Sequence, residues 1–229
     1  MSGKVTAIIL SAGSGSRMNA SVTKQRLLIS GRSVLYHTVK AFYSCPDISD
    51  IIVVSRCDEL DFAKEELSSF ERVRIVVGGK TRIESAKHGF SEALKTDSDY
   101  VAIHDSARCL VTADIISKVV TDAKKYGAAT ASTRMSDSIK DVDSEDFIIS
   151  SRDRDSIRII QTPQIFDKKM YKRAIELTDA SDISITDDNA MIERIGVRVY
   201  CTETGRENIK LTVKEDLLYA EYVMKKRGI

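Results

Sequence analysis

The first residues that could do chemistry stand close to the N-terminus, Ser11-Ala12-Gly13-Ser14-Gly15-Ser16-Arg17-Met18, with Lys24-Gln25 a short loop later. Glycines let a backbone approach a phosphate chain and present its N–H donors without side-chain obstruction. Arg17 and Lys24 beside such a turn suit a triphosphate that must be held and then released as pyrophosphate. Two common phosphate motifs do not match. A dinucleotide fingerprint needs glycine where Met18 stands, and a P-loop ends in Gly-Lys-Ser/Thr. A glycine-rich turn alone is usually only a tight connection; the two cations favour anion binding.

The elements that must position this turn follow from hydrophobic period. Val5–Leu10 is a continuous apolar run leading into the glycines, as expected of a buried parallel strand. Val34, Leu35, Thr38, Val39 and Phe42 share a helical face. Ile51–Val54 reads as a strand, and Leu60, Ala63, Leu67 and Phe70 as a helix after it. Val73–Val77 runs into Gly78-Gly79, and Ile83, Ala86, Phe90, Ala93 and Leu94 stripe the next helix. Tyr100–Ile103 makes a strand ending at His104-Asp105; a helix over Ile115–Ala123 and a strand opening at Gly127-Ala128-Ala129 follow. The order predicts an α/β fold with one doubly wound, mostly parallel sheet, Rossmann-like, in a single domain over 1–229. The alternation breaks at about 134–160. There Ser138–Val142 and Phe147–Ser151 flank the polar turn Asp143–Asp146 and read as a protruding hairpin, either an arm for a partner chain or a surface hairpin. A helix from Lys168, a strand Val197–Cys201 and a helix carrying Leu217, Leu218, Ala220, Tyr222 and Val223 complete the chain.

Composition narrows the function class. Thirty-five basic side chains nearly cancel 34 acidic ones, and a net charge of +1 argues against broad nucleic-acid or membrane binding. The apolar runs are strand-sized, and none approaches the roughly 18 residues of a membrane span. The four cysteines, at 45, 57, 109 and 201, have no metal-ligand spacing and suit buried or incidental thiols in a reducing cytoplasm.

Eight motifs in chain order carry a family resemblance. Ser-Ala-Gly-x-Gly-x-Arg-Met with Lys24-Gln25 resembles the signature of the sugar-phosphate nucleotidyltransferases, and more narrowly of the 2-C-methyl-D-erythritol 4-phosphate cytidylyltransferase family. Gly78-Gly79-x-x-Arg82-x-x-Ser85 resembles its second nucleotide-binding loop, and His104-Asp105-Ser106-Ala107-Arg108 its His-Asp-Ala-Ala-Arg strand end. Asp137-Ser138-Ile139-Lys140, Asp153-Arg154, Gln161-Thr162-Pro163-Gln164, Thr186-Asp187-Asp188 and Asn208-Ile209-Lys210 follow at compatible spacing.

The resemblance implies a cytoplasmic enzyme that transfers CMP from CTP to a polyol phosphate, with Mg²⁺ accompanying the CTP. It implies Arg17, Lys24 and Lys210 as the cations around the α-phosphate and pyrophosphate. Ala12, Gly13, Gly15, Gly79, Ser85, Asp105 and Ser106 would contact the nucleotide, with Gly79 and Ser85 selecting cytosine. Asp105 would also hold the metal. Arg108, Arg154 and Thr162 would bind the acceptor, Arg154 from a hairpin arm that reaches into a second subunit of a homodimer. Ordinary roles remain open for each: solvated lysines, a turn-capping Asp105, an Arg154 paired with Asp153 or Asp155. His37 and His88 fall within helical segments and read as packing or surface residues. His104 is expected to orient the Asp105 loop rather than act as a base.

Some positions depart from the family pattern: Thr23 for proline, Arg26 for an apolar residue, Ser106 for alanine and Cys109 for proline. Ser106 leans toward the related ribitol-5-phosphate cytidylyltransferases, whereas Thr186-Asp187-Asp188-Asn189-Ala190 leans toward methylerythritol phosphate, which has the greater weight. A nucleotide-dependent oxidoreductase on a similar fold conflicts with Arg17-Met18. A non-catalytic nucleotide binder would not need Arg17, Lys24, Asp105 and Lys210 together.

Overall fold

The computed structural model describes residues 3–13, 23–182 and 184–229. Seven strands form one sheet in the order β11-β7-β10-β6-β1-β4-β5. They are β1 (Val5–Ser11), β4 (Ile48–Ser55), β5 (Val73–Val77), β6 (Tyr100–Asp105), β7 (Ala128–Arg134), β10 (Arg158–Asp167) and β11 (Tyr200–Glu203). Two short hairpins stand apart from the sheet, β2 (Leu28–Ile29) with β3 (Arg32–Ser33), and β8 (Ile139–Val142) with β9 (Ile148–Arg152). The helices are α1 (Val34–Tyr43), α2 (Leu60–Glu66), α3 (Arg82–Ala93), α4 (Ala113–Tyr126), α5 (Lys168–Glu176), α6 (Asp188–Arg194) and α7 (Lys214–Lys226).

The period-two alternation of the strands divides the core between two faces of the sheet. Val5, Ala7, Ile9, Ile51, Val53 and Ala102 point to the side covered by α1, α2 and α4, where Phe42, Phe70 and Val119 fill the space. Ile8, Ile52, Val54, Val101 and Ile103 point to the other side, against Phe90 of α3, Tyr171 of α5 and Ile192 of α6. On that side α3 lies unusually close to the sheet. A Cβ on Gly89 would come within 2.5 Å of Ile8 and 2.8 Å of Val54, so only glycine fits. A third cluster packs α7 over the β2–β3 hairpin through Ile29, Leu110, Leu211, Val223 and Met224. Burial of Leu211 and Asn208 fixes the backbone on either side of Lys210.

The parallel strands and their helices match the sequence-based expectation, and so does the hairpin at β8–β9. Three features differ. β10 runs antiparallel to both β6 and β7, with an irregularity between Ile160 and Gln164. Pro163 and the polar Gln161, Thr162 and Gln164 disguise this strand, yet all three polar residues are buried and hydrogen-bonded. The last strand is Tyr200–Glu203 rather than Val197–Cys201, because Val197 and Val199 pack on the core without joining the ladder. α6 has only seven residues, too few to show a clear stripe. Its cap is strong: the Asp187 carboxylate accepts from Ala190 N–H at 3.0 Å.

Candidate active site

Parallel strands deliver their carboxyl ends to one edge of the sheet, where ligands of open α/β folds bind. Here β1 ends at Ser11, β5 leads into Gly78-Gly79, and β6 ends at Asp105. Together they border a cleft of about 980 Å³ whose lining includes Ala12, Gly13, Lys24, Gly79, Ser85, Asp105, Ser106 and Lys210. Eight residues expected at the site from the sequence thus share one cleft. Gly15 and Arg17 lie outside the described residues.

The second glycine turn is built for close packing. A Cβ on Gly79 would collide with the Cβ of Glu84, and one on Gly78 would meet Ala12 and Ser85. Thr81 caps α3 by accepting from Glu84 N–H at 3.0 Å, and the Glu84 carboxylate accepts from Lys80 and Thr81 N–H in return. The buried Ser85 hydroxyl donates to Thr81 O at 2.9 Å and accepts from Gly79 N–H at 3.1 Å. It therefore holds the turn and keeps only acceptor capacity for a ligand.

Lys24 opens a 3-10 turn over Lys24–Arg26. Its ammonium donates to Leu211 O at 3.0 Å, which joins this turn to the Lys210 segment. Gln25 is pinned from the other side, donating to Ser11 O at 2.9 Å. Arg26 and Thr23 both reach the Glu59 carboxylate, Arg26 at 2.7 Å and Thr23 at 3.3 Å, and the Arg26 guanidinium lies over the Phe62 ring. The two departures around Lys24-Gln25 therefore answer a common partner.

Asp105 is the electrostatic centre. Its Oδ2 lies 2.8 Å from Lys210 Nζ and 3.9 Å from Arg108 Nε, and its Oδ1 lies 3.8 Å from Arg82 Nη2. Burial alone would push this carboxyl up, but the Arg82, Lys210 and Arg108 charges outweigh it and bring it down to about 2. The Asp105 carboxylate is fully ionised at neutral pH. Burial works against the charge of Arg82 too, yet the Asp188 and Asp105 carboxylates hold it above its ordinary value. Burial lowers Arg108, with Asp105 opposing.

These surroundings do not fit the expectation that Asp105 holds a metal ion. Both of its oxygens already face cations, which a divalent ion would have to displace. Among the described residues no group of three His, Cys, Asp or Glu side chains gathers closely enough to ligate one.

Behind the cleft, His104 is fully buried, and burial lowers it to about 3, so it is neutral. Its Nε2 lies 3.3 Å from the Arg108 carbonyl, which can only accept, so Nε2 carries the proton. Its Nδ1 then accepts from the Thr162 hydroxyl at 2.9 Å, and Thr162 Oγ1 accepts from Asp105 N–H at 3.1 Å. This chain fixes the loop 104–108. The Thr162 hydroxyl is buried in that relay, and the residue lines neither cavity at the sheet edge. His37 bonds Ile29 O at 2.7 Å and serves packing, while His88 bonds Val77 O and borders the cleft.

A second cavity of about 340 Å³ adjoins the first and shares Lys210 with it. Arg108, Arg134 and Arg206 line it, with Asp137, Gln161 and Ile209. Arg154 lines neither cavity of its own chain; it is exposed beyond β9 and donates to Ser136 O at 2.9 Å. Arg82, Arg206 and the His104–Thr162 relay are the parts that residue-by-residue reasoning did not assign. Arg82 stood inside a quoted motif, and its spacing from Ser85 on α3 was the available signal.

The model of the 2-C-methyl-D-erythritol 4-phosphate cytidylyltransferase family matches residues 5–226. A protein of that name from Caldanaerobacter subterraneus is 39% identical over 97% of this chain and 99% of its own. One from Clostridium perfringens is 37% identical over 97% and 100%. The crystal structure of 4-diphosphocytidyl-2C-methyl-D-erythritol synthase from Anaerococcus prevotii superposes with a TM-score of 0.86 at 30% identity, covering 98% of this chain and 100% of that one. With its sheet, glycine turns and cation-ringed Asp105 in that order, the chain belongs to the 2-C-methyl-D-erythritol 4-phosphate cytidylyltransferase family.

Proposed function

We propose that this protein transfers a cytidylyl group from CTP to 2-C-methyl-D-erythritol 4-phosphate and releases pyrophosphate, a step of isoprenoid biosynthesis. The observation that carries the reading is Lys210: one ammonium borders both the glycine-turn cleft and the smaller cationic cavity. CTP occupies the first and the acceptor phosphate the second, so the two meet at Lys210.

An acceptor phosphate oxygen attacks the α-phosphorus of CTP; a new P–O bond forms as the bond to the bridging oxygen breaks, and the electron pair leaves on pyrophosphate. The second ionisation of a phosphate monoester lies near ~6, so the nucleophile is already a dianion at neutral pH and no general base is needed. What the reaction demands is alignment of two repelling anions and cancellation of their charge. Lys24 and Lys210 supply cations held by fixed partners, and Arg17 of the first glycine turn is assigned beside them. Asp105 orients Lys210. Backbone groups at Ala12, Gly13, Gly15 and Gly79 take the nucleotide, with Ser106 beside them. Ser85, left with an acceptor, suits the exocyclic amine of cytosine. Arg108 grips the acceptor with a planar fork. A divalent cation accompanying CTP would supply further charge neutralisation to its phosphates, with no role for Asp105 as a ligand.

The arm supports a homodimer. Phe147, Ile148 and Ile149 are each about two-thirds exposed. Arg154 at its base would complete the acceptor site of a second subunit. The four cysteines are all free, which suits work in the cytoplasm. No described helix is long and apolar enough to cross a membrane.

The test is pyrophosphate release with CTP and Mg²⁺, comparing 2-C-methyl-D-erythritol 4-phosphate with D-ribitol 5-phosphate. Preference for the first is expected. Preference for the second would move the protein to polyol-phosphate activation, and release with neither would sink the reading.

A further inference from the structure

Asp188 is fully buried at the start of α6, where an unpaired carboxylate would be costly. The Tyr171 hydroxyl donates to its Oδ1 at 2.7 Å, and Arg82 Nη1 stands 2.6 Å from its Oδ2. Gln164 Oε1 fixes the backbone beneath by accepting from Asp188 N–H at 3.0 Å. The same Arg82 reaches with Nη2 to 3.8 Å from Asp105, whose other oxygen holds Lys210 at 2.8 Å. Charges therefore alternate along one line from the core to the cleft: Asp188, Arg82, Asp105, Lys210.

Arg82 is shared between two carboxylates, so the buried one governs how the guanidinium meets the other. With the Asp188 carboxylate at 2.6 Å, Arg82 is drawn toward the core and keeps only a 3.8 Å contact with Asp105, which leaves Asp105 Oδ2 at 2.8 Å from Lys210. Without that charge Arg82 has a single anion left, and it competes with Lys210 for it. We infer that Asp188 is a positioning residue for the cytidylyl transfer, acting through Arg82 and Asp105 on Lys210. The inference rests on the CTP-dependent reading above, but not on which polyol phosphate is the acceptor.

The test combines kinetics with a spectroscopic readout. Asp188→Asn is expected to lower kcat about tenfold while KM for CTP changes less than about threefold, the pattern of a lost transition-state interaction. In an Arg82→Gln background the same substitution should cause no further loss of kcat, because the route to Lys210 is already cut. Ile192→Ala, also buried on α6, should lower Tm while kcat per folded molecule stays at the wild-type value. In lysine-selective NMR the Lys210 side-chain resonance, assigned with Lys210→Arg, should move in Asp188→Asn and stay in place in Ile192→Ala. If Asp188→Asn does not fold, the cycle is run with Asp188→Glu, whose extra methylene misplaces the carboxylate against Arg82. An unchanged kcat with an unmoved Lys210 resonance would overturn the inference, as would an equal kcat loss in both Arg82 backgrounds. Wild-type turnover tests the functional reading by itself. The NMR comparison tests Asp188 even if that turnover fails.

Discussion

The cleft edge of the sheet and the β8–β9 arm are opposites in how they are held. At the cleft the described side chains are tied to one another: His104 relays through Thr162 to Asp105, Lys24 is tied to Leu211, and Arg82 spans two carboxylates. The arm has no core beneath it. All five residues of β9 are exposed, and polar contacts alone shape it, Arg152 to Asp141 at 2.8 Å and the Asp143 carboxylate accepting from Glu145 and Phe147 N–H. A single chain can preorganise charge for phosphoryl chemistry, but it cannot bury Phe147, Ile148 and Ile149. The described part of the cleft is held by partners within the chain, whereas the arm leaves three large apolar side chains exposed.

The largest expected effect lies on the cleft side. Lys210→Ala should lower kcat roughly 100- to 1,000-fold, in line with removal of a preorganised charge. Tm should shift by no more than a few degrees, because the side chain is 42% exposed. Steady-state kinetics with a melting curve would check this, and a parallel loss of both would mean the lysine is structural. Lys24→Ala should behave the same way.

On the arm side, replacing Phe147 and Ile149 by serine should convert a dimer to a monomer in sizing chromatography, with activity down about tenfold or more. Arg154→Ala should raise KM for the acceptor about tenfold, the scale of one lost charge-assisted hydrogen bond. Mixing Arg154→Ala with Lys210→Ala protomers should restore activity, since one site of the mixed dimer has both residues. No recovery, together with monomeric elution of the wild type, would leave the arm as a surface hairpin.

A smaller effect concerns acid stability. His104 is lowered to about 3 from an ordinary 6.5, so the unfolded chain binds a proton that the folded one refuses. Its contribution is fully present above pH 6.5 and is lost as pH falls toward 3. Asp105, lowered to about 2 from 3.8, adds a loss of the same sign at lower pH. Unfolding midpoints from pH 7 to 4 should therefore fall more steeply for the wild type than for His104→Gln; parallel curves would refute the buried neutral imidazole. The smallest effect belongs to Arg26→Leu. Its pair with Glu59 is partly exposed, so about 1 kcal/mol or less of stability is expected, read by denaturant titration.

The parallel strands were legible because both faces are covered, which makes runs such as Val5–Leu10 continuously apolar. The glycine turns, Lys24, Asp105 and Lys210 were legible as motifs at strand ends. Hidden were the features that depend on partners far along the chain. β10 reads as polar and broken by Pro163 because its buried amides and hydroxyl answer Asp187, Gly205 and His104. Asp188 stood in a quoted motif, but its value depends on Arg82 more than a hundred positions earlier. The bonds of the Thr162 hydroxyl to His104 and Asp105 were hidden as well, because sequence proximity to Gln161 and Pro163 carries no information on its direction.

In the transfer proposed above, fixed cations act without a protein base. The pH dependence of kcat/KM for the acceptor with saturating CTP tests this most directly. A single rise at about 6 is expected, set by the acceptor's own second phosphate ionisation, with the same midpoint in His88→Gln and His104→Gln. A further limb between pH 6 and 8 that disappears in either histidine variant would contradict it and install a general base in the cleft.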